Sequence, residues 1–433
     1  MNGRAGILAR AVAALEEAQW RSRDEISAAQ RRQLVQLAQQ CERFSPHFRG
    51  RLRAAGLTPA DLGESLEKLP LLPRRALQSA ADVFCTAVPQ NHMPLAETRT
   101  SGSTGEPVVV KRTAVNNIDW LATTMREHLW HKRDFSGRFC AIRANIPKLV
   151  QLDSWGPPAS LLCPTGAALG MPITLSVDEQ VALILEFRPQ ILLVYPNVLS
   201  AFVQRAETDG MRFPELKQIL SVGETLPSHL RARAAGAFDV EVADMYSSQE
   251  AGNIALQCPQ SGLYHVMAES LIVEVVDDAG HPLPEGKIGR VAITDLHNYA
   301  TPLIRYDIGD YAEAGPACAC GRGLPTLKRI LGRERNLIRL PDGSRTWPLF
   351  GGHYFRDVAP VVQFQGIQHS LSRIEIRLVC ERAPTPGEEQ GLRNMILKAL
   401  GHPFEIEFVY FPDRIPAGPG GKFEEFICKV SDP

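Results

Sequence analysis

At 433 residues the chain is too long for one ordinary hydrophobic core and suits two or three domains. Hydrophobic residues at 44% and charged residues at 22% give the balance of a soluble globular protein. A formal net charge of −1 supplies no global field to recruit nucleic acid or an anionic membrane, and no apolar run approaches the ~20 residues that span a bilayer.

The opening segment MNGRAGILARAVAALEEAQW lacks a long apolar stretch and carries acidic residues early, unlike a signal peptide, so a cytoplasmic protein is expected. Apolar residues at helical spacing over 26–44 and 46–55 predict a helical first hundred residues. Pro46 suits the first turn of the second of these helices, where a missing N–H costs nothing. From about Arg138 the pattern changes: RFCAIRAN, PQILLVYP, KQILSVGE and VEVADMYS read as strands, with helices fitting 177–187, 197–208 and 228–237. That alternation predicts parallel βαβ units, hence an α/β layer with ligands at the C-terminal ends of its strands.

Between Gly262 and Ala314, SLIVEVVD, the turn region DDAGHPLPEG and GRVAITDL predict a hairpin or small barrel. The polar segment RERNLIRLPDGS after Gly332 reads as a linker. Beyond it, IEIRLVCE, a helix near 387–400 and EIEFVYF form a compact α+β pattern. The expected fold is therefore α/β: a large N-terminal domain with a small β-rich subdomain over 1–334, and a small α+β domain over 335–433. The boundary falls at about residues 332–342.

Four segments carry chemistry. Thr100-Ser101-Gly102-Ser103-Thr104-Gly105-Glu106-Pro107 packs four hydroxyls and two glycines into eight residues. Such a loop can turn backbone N–H groups and hydroxyls toward phosphate oxygens, although Ser/Thr/Gly clusters also make plain surface turns. After the strand VEVA comes Asp244-Met245-Tyr246-Ser247-Ser248-Gln249-Glu250. There Tyr246 could stack on a nucleobase, Asp244 accept from an exocyclic amine and Glu250 hold Mg²⁺; a strand-to-helix turn capped by Ser247 or Ser248 is the alternative. The third is PLIRYDIGD, ending at Asp310, where a carboxylate can accept two hydroxyl hydrogen bonds at once or merely form a turn. The fourth, Pro416-Ala417-Gly418-Pro419-Gly420-Gly421-Lys422-Phe423, is a glycine-rich loop holding a lysine that is either solvated or catalytic.

Taken in this order, the segments resemble the acyl-adenylate-forming enzymes, and most closely the phenylacetate-CoA ligase and capsule-biosynthesis-type branch. TSGSTGEP is similar to that family's phosphate loop, which implies that Ser101, Gly102, Ser103, Thr104 and Gly105 bind the β- and γ-phosphates of ATP. Asp-x-Tyr with a glutamate four residues on resembles its adenine and magnesium motif, assigning Asp244, Tyr246, Ser247 and Glu250 to nucleotide and Mg²⁺. SVGET, with Gly223 and Glu224, is similar to the loop along the adenine. PLIRYDIGD resembles PLIRYRTGD, implying that Asp310 binds the ribose, while Gly332-Arg333 matches the hinge whose arginine contacts the nucleotide. Lys422 takes the place of the adenylating lysine, whose ammonium stabilises the charge crowded between acyl oxygen, phosphate and pyrophosphate. SLEKLPLLPRRALQ looks like the branch's LPFTTKxDL region. Two departures stand out: Val108 follows Pro107 where a lysine is common, and Arg335 occupies the usual hinge aspartate position, leaving Asn336 to serve.

Of nine cysteines, most sit singly in apolar contexts and read as small buried hydrophobes. Cys258, His265, Cys318 and Cys320 instead offer three thiolates and an imidazole, a tetrahedral set suited to structural Zn²⁺; three unligated cysteines beside a surface turn are the alternative. The resemblance implies ATP-dependent adenylation of an aromatic or arylacetic acid, then thioester formation with CoA. Trp155, Tyr195 and TGAALGMP are candidates for the acid pocket, or ordinary core. A carrier protein as acceptor, activation of another oxyanion such as nitrite, and a nucleotide-binding protein without catalysis remain open. So does a homodimer.

Overall fold

The computed structural model describes residues 3–79, 81–99, 107–333, 336–346, 355–412, 414–416 and 423–430. Helices Arg4–Ala18, Arg23–Phe44 and Pro46–Ala55 open the chain, as the spacing predicts. Ser45 begins the third helix by accepting from Phe48 N at 3.2 Å, with Pro46 at its first position.

A hairpin of β1 (Ala96–Arg99) and β2 (Val109–Arg112) pairs Arg99 with Val109, on either side of the hydroxyl-rich loop. Then come β3 (Phe139–Arg143), β4 (Val150–Leu152), β5 (Ala168–Pro172), β6 (Ile191–Val194), β7 (Gln218–Val222) and β8 (Glu241–Ser248). They are followed by β9 (Gly252–Gln257), β10 (Tyr264–Val266), β11 (Leu271–Val276), β12 (Ile288–Asp295), β13 (Tyr306–Ala314) and β14 (Thr326–Arg333). From β3 onward these form one 12-stranded sheet, ordered β11-β12-β13-β14-β10-β9-β8-β7-β6-β3-β5-β4.

Strands β5, β3, β6, β7 and β8 run parallel, as the alternating pattern predicts. Helices Val177–Phe187, Pro196–Asp209 and Ser228–Phe238 cover one face of them. Their apolar positions (Leu199, Phe202 and Val203 among them) pack with Ile219 and Val242 in one core. The β-rich half is not a separate barrel. β8 neither stops after VEVA nor hands over to a helix: it runs to Ser248, and Gly252 at φ +78° lets the chain return as antiparallel β9. β8 is thus the seam between parallel and antiparallel halves.

The segment read as a linker carries structure too. β15 (Ile338–Arg339) and β16 (Arg345–Thr346) pair as a short hairpin, and Ile338 is buried. β17 (Val361–Gln368), β18 (Arg373–Cys380), β19 (Glu405–Phe411) and β20 (Phe426–Cys428) form a second sheet, ordered β19-β18-β17-β20. Helix Pro386–Leu400 places Leu392 and Ile396 against it, in a core that also takes Ile338, Ile376 and Phe426. Among the described residues no helix is long and apolar enough to cross a membrane.

Candidate active site

Residues from four distant segments meet at the seam. The Tyr246 hydroxyl, near the end of β8, donates to Asp310 Oδ2 at 2.7 Å, and Arg333 Nε stands 3.1 Å from Asp310 Oδ1. Burial and the Asp310 charge push the Tyr246 phenol well up, so it remains a donor. Asp310, followed by Glu250, raises the Arg333 guanidinium further. Glu250 is buried and takes Arg74 Nη1 at 2.9 Å; the same nitrogen lies 3.4 Å from the Tyr306 hydroxyl. Arg74 arrives because Leu72 bonds in parallel beside Tyr306, through Leu72 N to Arg305 O at 2.7 Å and Asp307 N to Leu72 O at 3.0 Å.

Asp244 lies deeper. Tyr264 donates to its Oδ2 at 2.6 Å, and burial raises its carboxyl. Gly223 turns the chain after β7 at φ +83°, where an added Cβ would stand 2.6 Å from the Tyr195 ring, so only glycine fits. Glu224 next to it accepts from Asn197 N at 3.0 Å and from Phe423 N at 2.9 Å, drawing the C-terminal segment against this loop. Asn336 accepts from Arg333 N at 2.9 Å and donates to Glu424 Oε2 at 3.1 Å and Phe426 O at 2.5 Å. It ties β14 to β20. Ser101, Gly102, Ser103, Thr104 and Gly105, expected as a phosphate loop, Arg335, expected at a hinge, and Lys422 lie outside the described residues.

Beside this cluster, at the C-terminal ends of β3, β6, β7 and β8, is a cavity of about 190 Å³. Trp120, Thr124, Glu127 and His128 line it from one face of helix Ala114–Trp130, which is started by Thr113 and Asn116 in a reciprocal cap. Phe139, Arg143, Trp155, Leu220, Met245, Ser247 and Asn253 complete most of the wall. Trp155 therefore lines a cavity, as the sequence suggested. Tyr195 instead packs against Gly223, and TGAALGMP supplies β5 rather than the cavity wall.

Glu127 and Arg133 form a buried ion pair, with Nη2 to Oε1 at 2.7 Å. Arg133 Nη1 lies 3.0 Å from His128 Nδ1; a guanidinium only donates, so this nitrogen accepts and the ring hydrogen is on Nε2. Burial, aided by the Arg133 charge, lowers His128 to about 4, so the ring is neutral near pH 7. Arg74, His128 and Asn253 escape sequence reading. Arg74 at least stands in LPLLPRR, whereas a histidine and an asparagine with no motif around them carry no signal of shared position.

Further along the β-rich half, Cys258, His265, Cys318 and Cys320 place their ligand atoms within 4.8 Å of one another. The Cys258 and Cys318 sulfurs are 3.8 Å apart, and His265 Nε2 is 3.2 Å from Cys320 Sγ. His265 Nδ1 faces Leu324 O at 3.4 Å, which leaves the Nε2 lone pair for the cluster.

The profile of the family described as AMP-binding enzyme matches residues 60–298. A phenylacetate-coenzyme A ligase of Thermus thermophilus is 27% identical over 333 residues, covering 73% of this chain and 72% of that protein. Its namesake in Aromatoleum evansii is 26% identical over 333 residues, covering 75% and 74%. Among solved structures, a 2-hydroxyisobutyryl-CoA ligase in its postadenylation state superposes with a TM-score of 0.70 at 19% identity, covering 92% of this chain and 89% of that one. The chain belongs to the AMP-binding enzyme family.

Proposed function

We propose that the protein is an AMP-forming acid–CoA ligase acting on an aromatic acid. In the first step the acid's carboxylate attacks the α-phosphorus of ATP, an acyl–AMP bond forms and pyrophosphate leaves. In the second the CoA thiolate attacks the acyl carbon, and AMP leaves as the thioester forms. The meeting of Tyr246, Glu250, Asp310 and Arg333 at the seam of the sheet carries this reading. Strand tips at a change of sheet direction are where α/β proteins gather ligand groups.

In this reading Asp310 accepts the ribose hydroxyls, Arg333 contacts the nucleotide, Tyr246 and the Gly223-Glu224 loop lie along the adenine, and Asp244 and Ser247 border it. Glu250 is the hard oxygen donor for the Mg²⁺ of the nucleotide, a role suited to a buried carboxylate at the strand tips. Ser101 to Gly105 clamp the β- and γ-phosphates. Lys422, next to the tethered Phe423, brings its ammonium to the transferring group. Residues 1–334 then form the nucleotide- and acid-binding domain and 335–433 a lid swung about Arg333–Asn336. Pyrophosphate release over a panel of aromatic acids, with and without CoA, tests the assignment. Release dependent on one acid class and thioester formed with CoA are expected; ATP binding without release for any acid overturns it.

Cys258, His265, Cys318 and Cys320 suit a structural Zn²⁺ that staples β9–β10 to the segment before β14. Ligand sulfurs on a tetrahedron of Zn–S bonds of about 2.3 Å stand about 3.8 Å apart, the separation of Cys258 and Cys318. Four ligands leave no open position, so the ion would hold structure rather than react. Metal analysis of the purified chain is expected to find one zinc per chain; protein that is folded and active without stoichiometric zinc removes the assignment.

A further inference from the structure

The cavity beside the nucleotide cluster holds a polar fixture that ordinary core packing does not explain. Asn253 is 4% exposed, and its Nδ2 lies 3.0 Å from Thr123 Oγ1 and 3.1 Å from Thr124 Oγ1. Those hydroxyls spend their own hydrogens on Asp119 O at 2.9 Å and Trp120 O at 2.8 Å, so they must accept from Asn253. The amide orientation is thereby fixed, with the carbonyl oxygen away from the two threonines. Asn253 Oδ1 is buried and finds no hydrogen-bond partner among the described residues, although Asn253 lines the cavity. A buried acceptor left unpaired is costly, and sites at which one persists are sites where a ligand can supply the donor.

The rest of the wall limits what that ligand can be. Trp120, Phe139 and Trp155 line the cavity with aromatic rings, the Phe139 and Trp155 ring centres 5.1 Å apart. An engineered apolar cavity of about 150 Å³ takes a benzene molecule, so about 190 Å³ admits one ring with a small substituent. No net charge is added by the buried ionisable groups at the inner end: Glu127 is neutralised by Arg133, and His128 is neutral. On the same wall Arg143 Nε is also buried with no hydrogen-bond partner among the described residues, a cationic donor suited to the carboxylate of the incoming acid.

We infer that the acid substrate is a single-ring aromatic acid bearing a neutral hydrogen-bond donor on its ring, a hydroxyl or an amino group, that donates to Asn253 Oδ1. This rests on the acid-activating reading above and narrows it. Sites built to bond a substrate donor discriminate strongly against the analogue that lacks it, because the protein acceptor is then left dry and unpaired.

The test is kcat/KM for pyrophosphate release with the purified chain on matched acids: benzoate and phenylacetate against their ring-hydroxy and ring-amino counterparts. Donor-bearing acids are expected to exceed their parents by about 10–100-fold; the hydroxy and amino arms separate the two donor types. In Asn253→Leu the ratio of kcat/KM for donor-bearing over parent acids, measured within that variant, should fall to about one or below. Equal turnover of parent and donor-bearing acids by the unaltered chain overturns this inference and leaves the ligase reading standing, as when a water satisfies Asn253. A preference that survives in a folded Asn253→Leu overturns it as well. Pyrophosphate release with none of the acids overturns both readings, and the unaltered chain alone decides that outcome.

Discussion

The motif PLIRYDIGD holds two arginine–carboxylate clusters five residues apart, and they are opposites. Arg305, at φ +51° and fully buried, uses every donor it has: Glu274 at 3.1 and 3.0 Å, and the carbonyls of Glu67, Leu69 and Gly280 at 2.8, 2.7 and 2.5 Å. Nothing is left for a ligand. Asp310 instead takes one hydrogen bond from Tyr246 and one ion-pair contact from Arg333, each on a different strand and each with polar capacity to spare. A saturated buried network fixes the chain's path, whereas a sparsely bonded one at strand tips can exchange partners when substrate enters.

Substitutions at Arg305, Glu274 and Asp310 can break that contrast, and one at Lys422 tests the chemistry beside it. The largest effect belongs to Arg305→Met, which strands Glu274 and should cost about 3–5 kcal/mol of stability, read as a lowered midpoint in urea. Because the loss comes mostly from the abandoned charge, Arg305→Met with Glu274→Met should recover part of it. Lys422→Ala should lower the adenylation rate by about 10²–10³-fold with ATP affinity and melting temperature nearly unchanged; full pyrophosphate release by this variant would remove Lys422 from the chemistry. Asp310→Asn keeps the shape but weakens acceptance of the ribose hydroxyls, so KM for ATP should rise about 10–100-fold. Its stability should stay within about 1 kcal/mol. A collapse of stability in Asp310→Asn comparable to Arg305→Met would dissolve the distinction.

What the sequence reveals follows the same division. Parallel strands and their helices are legible because periodic apolar residues must face a core, and the three helices after β5 fall within about two residues of expectation. Tyr246, Glu250, Asp310 and Arg333 are legible because short motifs bind them to a known order. The continuity of the sheet is not, since nothing local says that β8 will pair with β7 on one edge and β9 on the other. Arg74, His128 and Asn253 are hidden for a related reason. The roles of Arg74 and Asn253 depend on contacts across 100 residues or more, Arg74 with Glu250 and Asn253 with Thr123, whereas the partners of His128 are near in sequence but form no motif. A single asparagine in the strand GNIALQ gives no sign that half its amide will be fixed and half left over.

His128 lies between the two extremes, with one nitrogen saturated by Arg133 and the other beside a cavity, and it makes the smallest of the expected effects. The groups around it are Arg133, Glu127 at 3.7 Å and His131, with the rings of Phe135, Phe139 and Trp155 packed against the imidazole. Its folded pKa of about 4 is below the ordinary 6.5, so the unfolded chain binds the proton more readily. Stability from this group is therefore fully present above pH 6.5 and is lost as pH falls from there toward 4. Asp295, raised to about 6 by burial, works in the opposite sense: its contribution is present at low pH and lost as pH rises from 3.8 to 6. The two oppose each other below pH 6, and only the histidine acts between 6 and 6.5. His128→Gln removes one arm of that balance, so its melting temperature should fall less steeply than that of the unaltered chain between pH 7 and 5. The difference should be at most about 2 kcal/mol at pH 5. Parallel curves for the two proteins would mean that His128 takes up its proton equally readily in the folded and unfolded chains, and that its nitrogen facing Arg133 is not held as the acceptor.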